Sequence, residues 1–174
     1  MRNSFLRSTT LPFLYFTILG IPNIRTIAGC GYTSATVFFP TTGSQPTRKP
    51  SFSKSLEQGR LTPKVREAIA LCVAGFNSCP YCTAAHSKIA KSCEIPHKEI
   101  EHNLKCKSED PKTAVLLQFC HKVLEKRGHV ADSDIETMLH HGFKEEELIE
   151  IVGVIALNIT TNYFNNVFTP IVDF

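Results

Sequence analysis

From residue 61 onward the chain repeats one punctuation mark, a capping residue followed by a proline and then apolar residues spaced three and four apart. Thr62-Pro63, Cys79-Pro80 and Asp110-Pro111 have this form, and Pro96 opens a further segment. Proline loses no hydrogen bond at the first helical position, and a polar side chain just before it can take up a free backbone amide. With almost no apolar–polar alternation after residue 60, these starts predict an all-α fold of about six helices.

The first runs from Thr62 to the breakers Gly75 and Asn77-Ser78, with Val65, Ala68, Ile69, Cys72, Val73 and Phe76 on one face. The second opens on Ser78 or Cys79 and extends to about Lys91, and the third runs from Pro96 to about Leu104. A fourth, from Asp110 to Gly128, buries Ala114, Leu117, Phe119, Val123 and Leu124; Asp132 caps a fifth, which Gly142 ends. The last, from about Lys144 to Phe168, is apolar on much of its circumference, as expected of a helix at a bundle centre or a subunit interface.

The net charge of +3 is a sum over unlike parts. Residues 1–60 hold seven of the 19 Lys and Arg with one acid, Glu57, and are rich in Ser, Thr and Pro, so they read as an extension and linker ahead of a domain at 61–174. Thr41 to Ser55 is the linker expectation. The basic, then apolar, start at 1–30 leaves organelle or secretory targeting open, or one packed helix; the cytoplasm is the expected location. Pro12, Pro22 and Arg25 interrupt the apolar N-terminal stretch before it reaches the roughly 18 residues of a membrane span. So small a charge excess points to no nucleic-acid partner.

The chemistry concentrates in Cys79-Pro80-Tyr81-Cys82-Thr83-Ala84-Ala85-His86. Residues three and four apart share a helix face, so Cys79 and Cys82 can approach each other, with His86 one turn beyond Cys82. A helix N-terminus favours a thiolate, and an imidazole can accept the thiol proton. The thiolate attacks a peroxide oxygen or a disulfide sulfur, and a second cysteine can condense with the resulting sulfenic acid. Glu67, twelve residues before Cys79, reaches this group if the chain reverses at Asn77-Ser78, where it would orient His86 directly or through water; otherwise it is a solvated first-turn charge.

The pair and His86 offer only three zinc ligands with no second CxxC, which makes structural zinc the minor reading, and Thr83 stands where covalent haem attachment requires histidine. No metal and no cofactor is therefore expected. Cys72, Cys120 and Cys93 fall on or near apolar stripes and read as core thiols, whereas Cys30 and Cys106 have no evident place. Seven cysteines without paired spacing outside the motif fit a reducing compartment. Asn158, Asn162 and Asn165 form a polar stripe on the last helix, read as helix-to-helix hydrogen bonding.

The string Leu61 to His86, with Arg66-Glu67, Ala70-Leu71, Asn77, Cys79-Pro80-Tyr81-Cys82 and His86, resembles the carboxymuconolactone decarboxylase family in its alkylhydroperoxidase D-like branch. The likeness continues through Asp110-Pro111-Lys112, Arg127-Gly128, Gly142-Phe143 and Glu150-Ile151-Val152 to Ala156-Leu157-Asn158, Thr161-Asn162-Tyr163 and Asn165. It implies a compact oligomeric helical domain, trimer or hexamer, and a thiol peroxidase cycle acting on hydroperoxides. Cys82 would be peroxidatic, Cys79 would resolve it and face the reductant, and His86 would deprotonate Cys82 with Glu67 behind it through a water. The reductant implied is a dithiol, on a lipoyl-bearing or thioredoxin-like protein. The alternatives are a thiol-disulfide oxidoreductase or redox sensor, and a non-enzymatic helical module with a structural or zinc-binding pair.

Overall fold

The computed structural model describes residues 52–174, and the expectations for residues 1–51, Cys30 included, lie outside them. Seven helices occupy the described residues, without a strand: α1 Phe52–Glu57, α2 Pro63–Phe76, α3 Pro80–Ser92, α4 His97–Asn103, α5 Pro111–Glu125, α6 Asp132–His140 and α7 Glu145–Phe168. None is long and apolar enough to cross a membrane.

The helix starts form as the side chains dictate. Thr62 accepts the Val65 amide at 3.4 Å ahead of Pro63, and the Asp110 carboxylate accepts the Thr113 amide at 2.8 Å ahead of Pro111. At α6 the cap differs from the expectation: Asp132 is the first helical residue, and Asp134 reaches back to accept the Ala131 amide at 3.0 Å. Glu147 does the same for the Lys144 amide at 2.8 Å, so one of the three acids opening α7 satisfies an otherwise free donor.

The packing centre is α2 rather than α7. Every residue from Arg66 to Ala74 is buried, because α3, α4, α5 and α7 all pack against this one helix. Ile69, Cys72 and Val73 meet Leu116, Leu117, Met138, Ile151 and Ile155 in the main core. Phe76, expected on the buried face, is 40% exposed and packs edge-on against His121. Gly75 sits where α2 passes the backbone of Leu104, and a Cβ there would run into that carbonyl oxygen. α7 keeps one face on the core but leaves Ile149, Val152, Tyr163 and Val167 exposed.

Further expectations need correcting. Phe52–Ser55 belongs to a helix rather than a linker: α1 packs on α7 through buried Leu56, which lies against Gly153. Cys72 and Cys106, 34 residues apart, form a disulfide with their Cα atoms at 4.7 Å, tying the middle of α2 to the residues after α4. Cys93 is disulfide-bonded too, so it and Cys72 are not the core thiols expected. The inference from unpaired cysteines to a reducing compartment loses its basis with them. Cys120 is the free, fully buried thiol expected, and burial pushes its pKa up.

Candidate active site

The turn between α2 and α3 delivers the cysteine pair. Asn77 and Ser78 close α2 with amides donating to Val73 and Gly75, and Ser78 takes a left-handed φ of 50°. The Cys79 amide then donates back to Ala74, which starts α3 antiparallel to α2. α7 holds this corner from outside: Asn77 Nδ2 donates to Asn162 Oδ1 at 3.4 Å, and Asn166 Nδ2 donates to the Asn77 carbonyl at 3.0 Å.

Cys79 is the N-cap of α3, its Sγ accepting the Cys82 amide at 3.2 Å, and Pro80 removes an amide that would otherwise stay free. The two cysteines are joined as a disulfide, with Cα atoms 5.3 Å apart. Both are buried, at 1% and 3% exposure, in a small cluster with Ala74 and Tyr81. Phe174 stacks edge-on against Tyr81 at 5.4 Å, and the Lys88 ammonium lies over the same Phe174 ring. The C-terminal residues thus lie against the helix that carries the pair. Cys79, expected to face the reductant, is covered in this oxidised state.

The antiparallel return also joins Glu67 to His86. Glu67 Oε2 and His86 Nδ1 are 2.9 Å apart, a direct contact without an intervening water. Glu67 is 1% exposed and the His86 side chain 14%, so the solvated first-turn reading of Glu67 does not hold. Glu67 Oε1 is buried without a partner. Arg66 turns elsewhere, its Nη1 donating to the Leu61 carbonyl. A carboxylate bound to Nδ1 fixes the neutral ring as the Nδ1–H tautomer and leaves Nε2 as the base. The four motif residues therefore lie on two packed helices, as one covalent pair on α3 and one hydrogen-bonded pair across α2 and α3.

Sequence reasoning placed Asn165 in a polar stripe without linking it to the cysteines. In the structure its Nδ2 donates to Cys82 Sγ at 3.3 Å across the α3–α7 contact. Of its stripe, Asn162 bonds to the α2–α3 turn, and Asn158 bonds within its own helix to the Val154 carbonyl at 2.9 Å. The available signal was three asparagines at helical spacing within an apolar helix.

The described residues thus form an all-helical domain with a CxxC pair at a helix start and a part-buried Glu–His pair beside it. Residues 51–105 match the model of the carboxymuconolactone decarboxylase family, and the resemblance read from the sequence is thereby shown for the segment that carries all four motif residues. Among solved structures the chain is similar to an uncharacterized peroxidase-related protein from Silicibacter sp. TM1040, with TM-score 0.64 and 22% identity over 69% of this chain and 65% of that one. It is also similar to an alkylhydroperoxidase AhpD core, an uncharacterized peroxidase-related protein from Ralstonia eutropha JMP134, with TM-score 0.59 and 28% identity over 63% and 59%. The debrominase Bmp8 shares the fold at TM-score 0.60 and 18% identity over 70% and 67%. The chain thus spans less than two thirds of the length of the first two relatives. It has no match among curated proteins.

Proposed function

We propose that the chain is a thiol-dependent peroxidase that reduces hydroperoxides through Cys82 and is recharged by a dithiol. The observation that carries this reading is the part-buried Glu67–His86 pair one helical turn from a cysteine already paired with its CxxC partner. In the reduced protein, His86 accepts the Cys82 proton at Nε2 while Glu67 holds Nδ1 and balances the imidazolium charge. The thiolate attacks the terminal oxygen of ROOH: an S–O bond forms, the O–O bond breaks, and the alcohol leaves with the proton from His86. The Cys79 thiol then attacks the sulfenic sulfur, forming the disulfide and releasing water. A dithiol returns two electrons and two protons.

Burial of both cysteines favours a small oxidant over a protein disulfide, which needs an exposed thiol to attack. Reduction by a lipoyl-bearing or thioredoxin-like dithiol then requires the oxidised pair to become accessible. The exposed apolar side chains of α7 suit the homo-oligomer, trimer or hexamer, that the resemblance implies. The Cys72–Cys106 disulfide leaves both the cytoplasm and an oxidising compartment consistent with this cycle.

Peroxide-dependent oxidation of an added dithiol is expected for the parent protein and lost in Cys82→Ser. Full activity in that variant refutes the assignment of the nucleophile. Faster turnover with a protein disulfide than with any hydroperoxide would move the reading to a thiol-disulfide oxidoreductase.

A further inference from the structure

We propose that Asn165 is a further catalytic residue, one whose side-chain N–H holds the Cys82 sulfur in its hydrogen-bond-accepting states. The inference rests on Cys82 being the nucleophile. Three observations carry it. Asn165 lies 83 residues from Cys82, on the far helix of the α3–α7 contact, yet its Nδ2 is 3.3 Å from Cys82 Sγ. The residue is 7% exposed, so water does not compete for the donor. Its Oδ1 is buried with no partner, although rotating the amide by half a turn would bring that oxygen to the sulfur instead.

The orientation follows from what sulfur can do. A disulfide sulfur or a thiolate has only lone pairs to offer, so it pairs with N–H and repels the carbonyl oxygen. A thiol sulfur accepts the same N–H only weakly, and its own S–H gains nothing from a donor facing it. Nδ2 facing Cys82 therefore stabilises the thiolate more than the thiol, and the same geometry serves before and after the disulfide forms. Hydrogen bonds to ionised acceptors are the stronger kind, and a buried one is not diluted by solvent.

The groups bearing on Cys82 from each neighbouring element are few. α3 supplies Cys79 and, one helical turn from Cys82 by spacing, His86, which Glu67 of α2 holds at Nδ1. α7 supplies the Asn165 amide, and α4 meets α3 lower down, in the apolar cluster of Ile100 and Ala90. The amide is thus a second source of thiolate stabilisation, independent of the Glu67–His86 pair.

The test is the pH profile of Cys82 alkylation by iodoacetamide, read on the Cys82 peptide by mass spectrometry in a reduced Cys79→Ser background. Asn165→Leu keeps the branched shape at a larger volume and removes the donor, and is expected to raise the Cys82 pKa by about one to two units, slowing alkylation at neutral pH about tenfold or more. Asn165→Asp places a carboxylate against the sulfur and is expected to raise it further. A purely structural asparagine would lower the melting temperature and leave the profile in place. Superimposable profiles in variants with native circular dichroism, or a Cys82 pKa lower in Asn165→Asp than in Asn165→Leu, overturn the proposal; should the Asn165→Leu protein not fold, Asn165→Ala, which removes the donor without adding bulk, decides alone. Alkylation needs no peroxide, so a chain without peroxidase activity would still reveal whether Asn165 governs Cys82.

Discussion

Replacing Glu67 by Gln separates chemistry from stability. The Glu67 carboxylate is 1% exposed and contacts a His86 ring that is itself 14% exposed, so the interaction is little screened. Gln keeps the shape and one hydrogen bond but cannot balance the charge His86 acquires when it takes the Cys82 proton. A hydrogen bond to a charged group contributes about 1.5–3 kcal/mol, so oxidation of Cys82 should slow by about ten- to a hundredfold at neutral pH. Stability should change little. The substitution weakens the bond to His86 but also removes a buried carboxylate whose Oε1 has no partner, and the two effects offset. Rapid mixing of reduced protein with excess hydroperoxide, quenching into an alkylating agent and quantifying unreacted Cys82 gives the rate; thermal unfolding gives the stability. A folded Glu67→Gln protein that reacts within about twofold of the parent would refute the relay.

Other outcomes follow from the surrounding structure. Converting Cys72 and Cys106 together to Ser opens a loop of 34 residues, and the chain-entropy argument puts the loss at about 3–4 kcal/mol, measurable by denaturant unfolding under non-reducing conditions. Cys120 should resist alkylation in the native protein and label only on unfolding, because burial disfavours its thiolate. Asp110→Ala should cost about 1 kcal/mol at neutral pH through loss of the α5 cap. The Thr113 hydroxyl, and then its amide, hold the Asp110 carboxyl below its ordinary value of 3.8, so this stabilisation is present above that pH and lost as pH falls through the lower folded value. The gap between parent and variant should therefore close in acid.

Much of this architecture is local, and local features are legible in a sequence. Thr62-Pro63 and Asp110-Pro111 specify their helix starts within four residues, and the spacing of Cys79, Cys82 and His86 specifies a shared face within seven. Glu67 was reachable because only one turn, at Asn77-Ser78, intervenes between it and His86. What could not be read depends on contacts made far along the chain. The Cys72–Cys106 bond joins the middle of one helix to a residue after another, and no spacing rule encodes such a pairing. The Asn165 bond to Cys82 requires knowing that α7 runs beside the start of α3. The centrality of α2 was hidden for a related reason: α7 is longer and more apolar, but a helix of alanines, valine and small residues packs closely enough for four others to surround it.

The most direct test is the mass and peptide map of reduced protein after one equivalent of hydroperoxide. The account predicts that the parent loses two hydrogens and gains a Cys79–Cys82 bond, and that Cys79→Ser instead holds one added oxygen on Cys82. Oxygen retained on Cys79 in a Cys82→Ser protein at the parental rate, or a reduced pair left unchanged by peroxide, would contradict it.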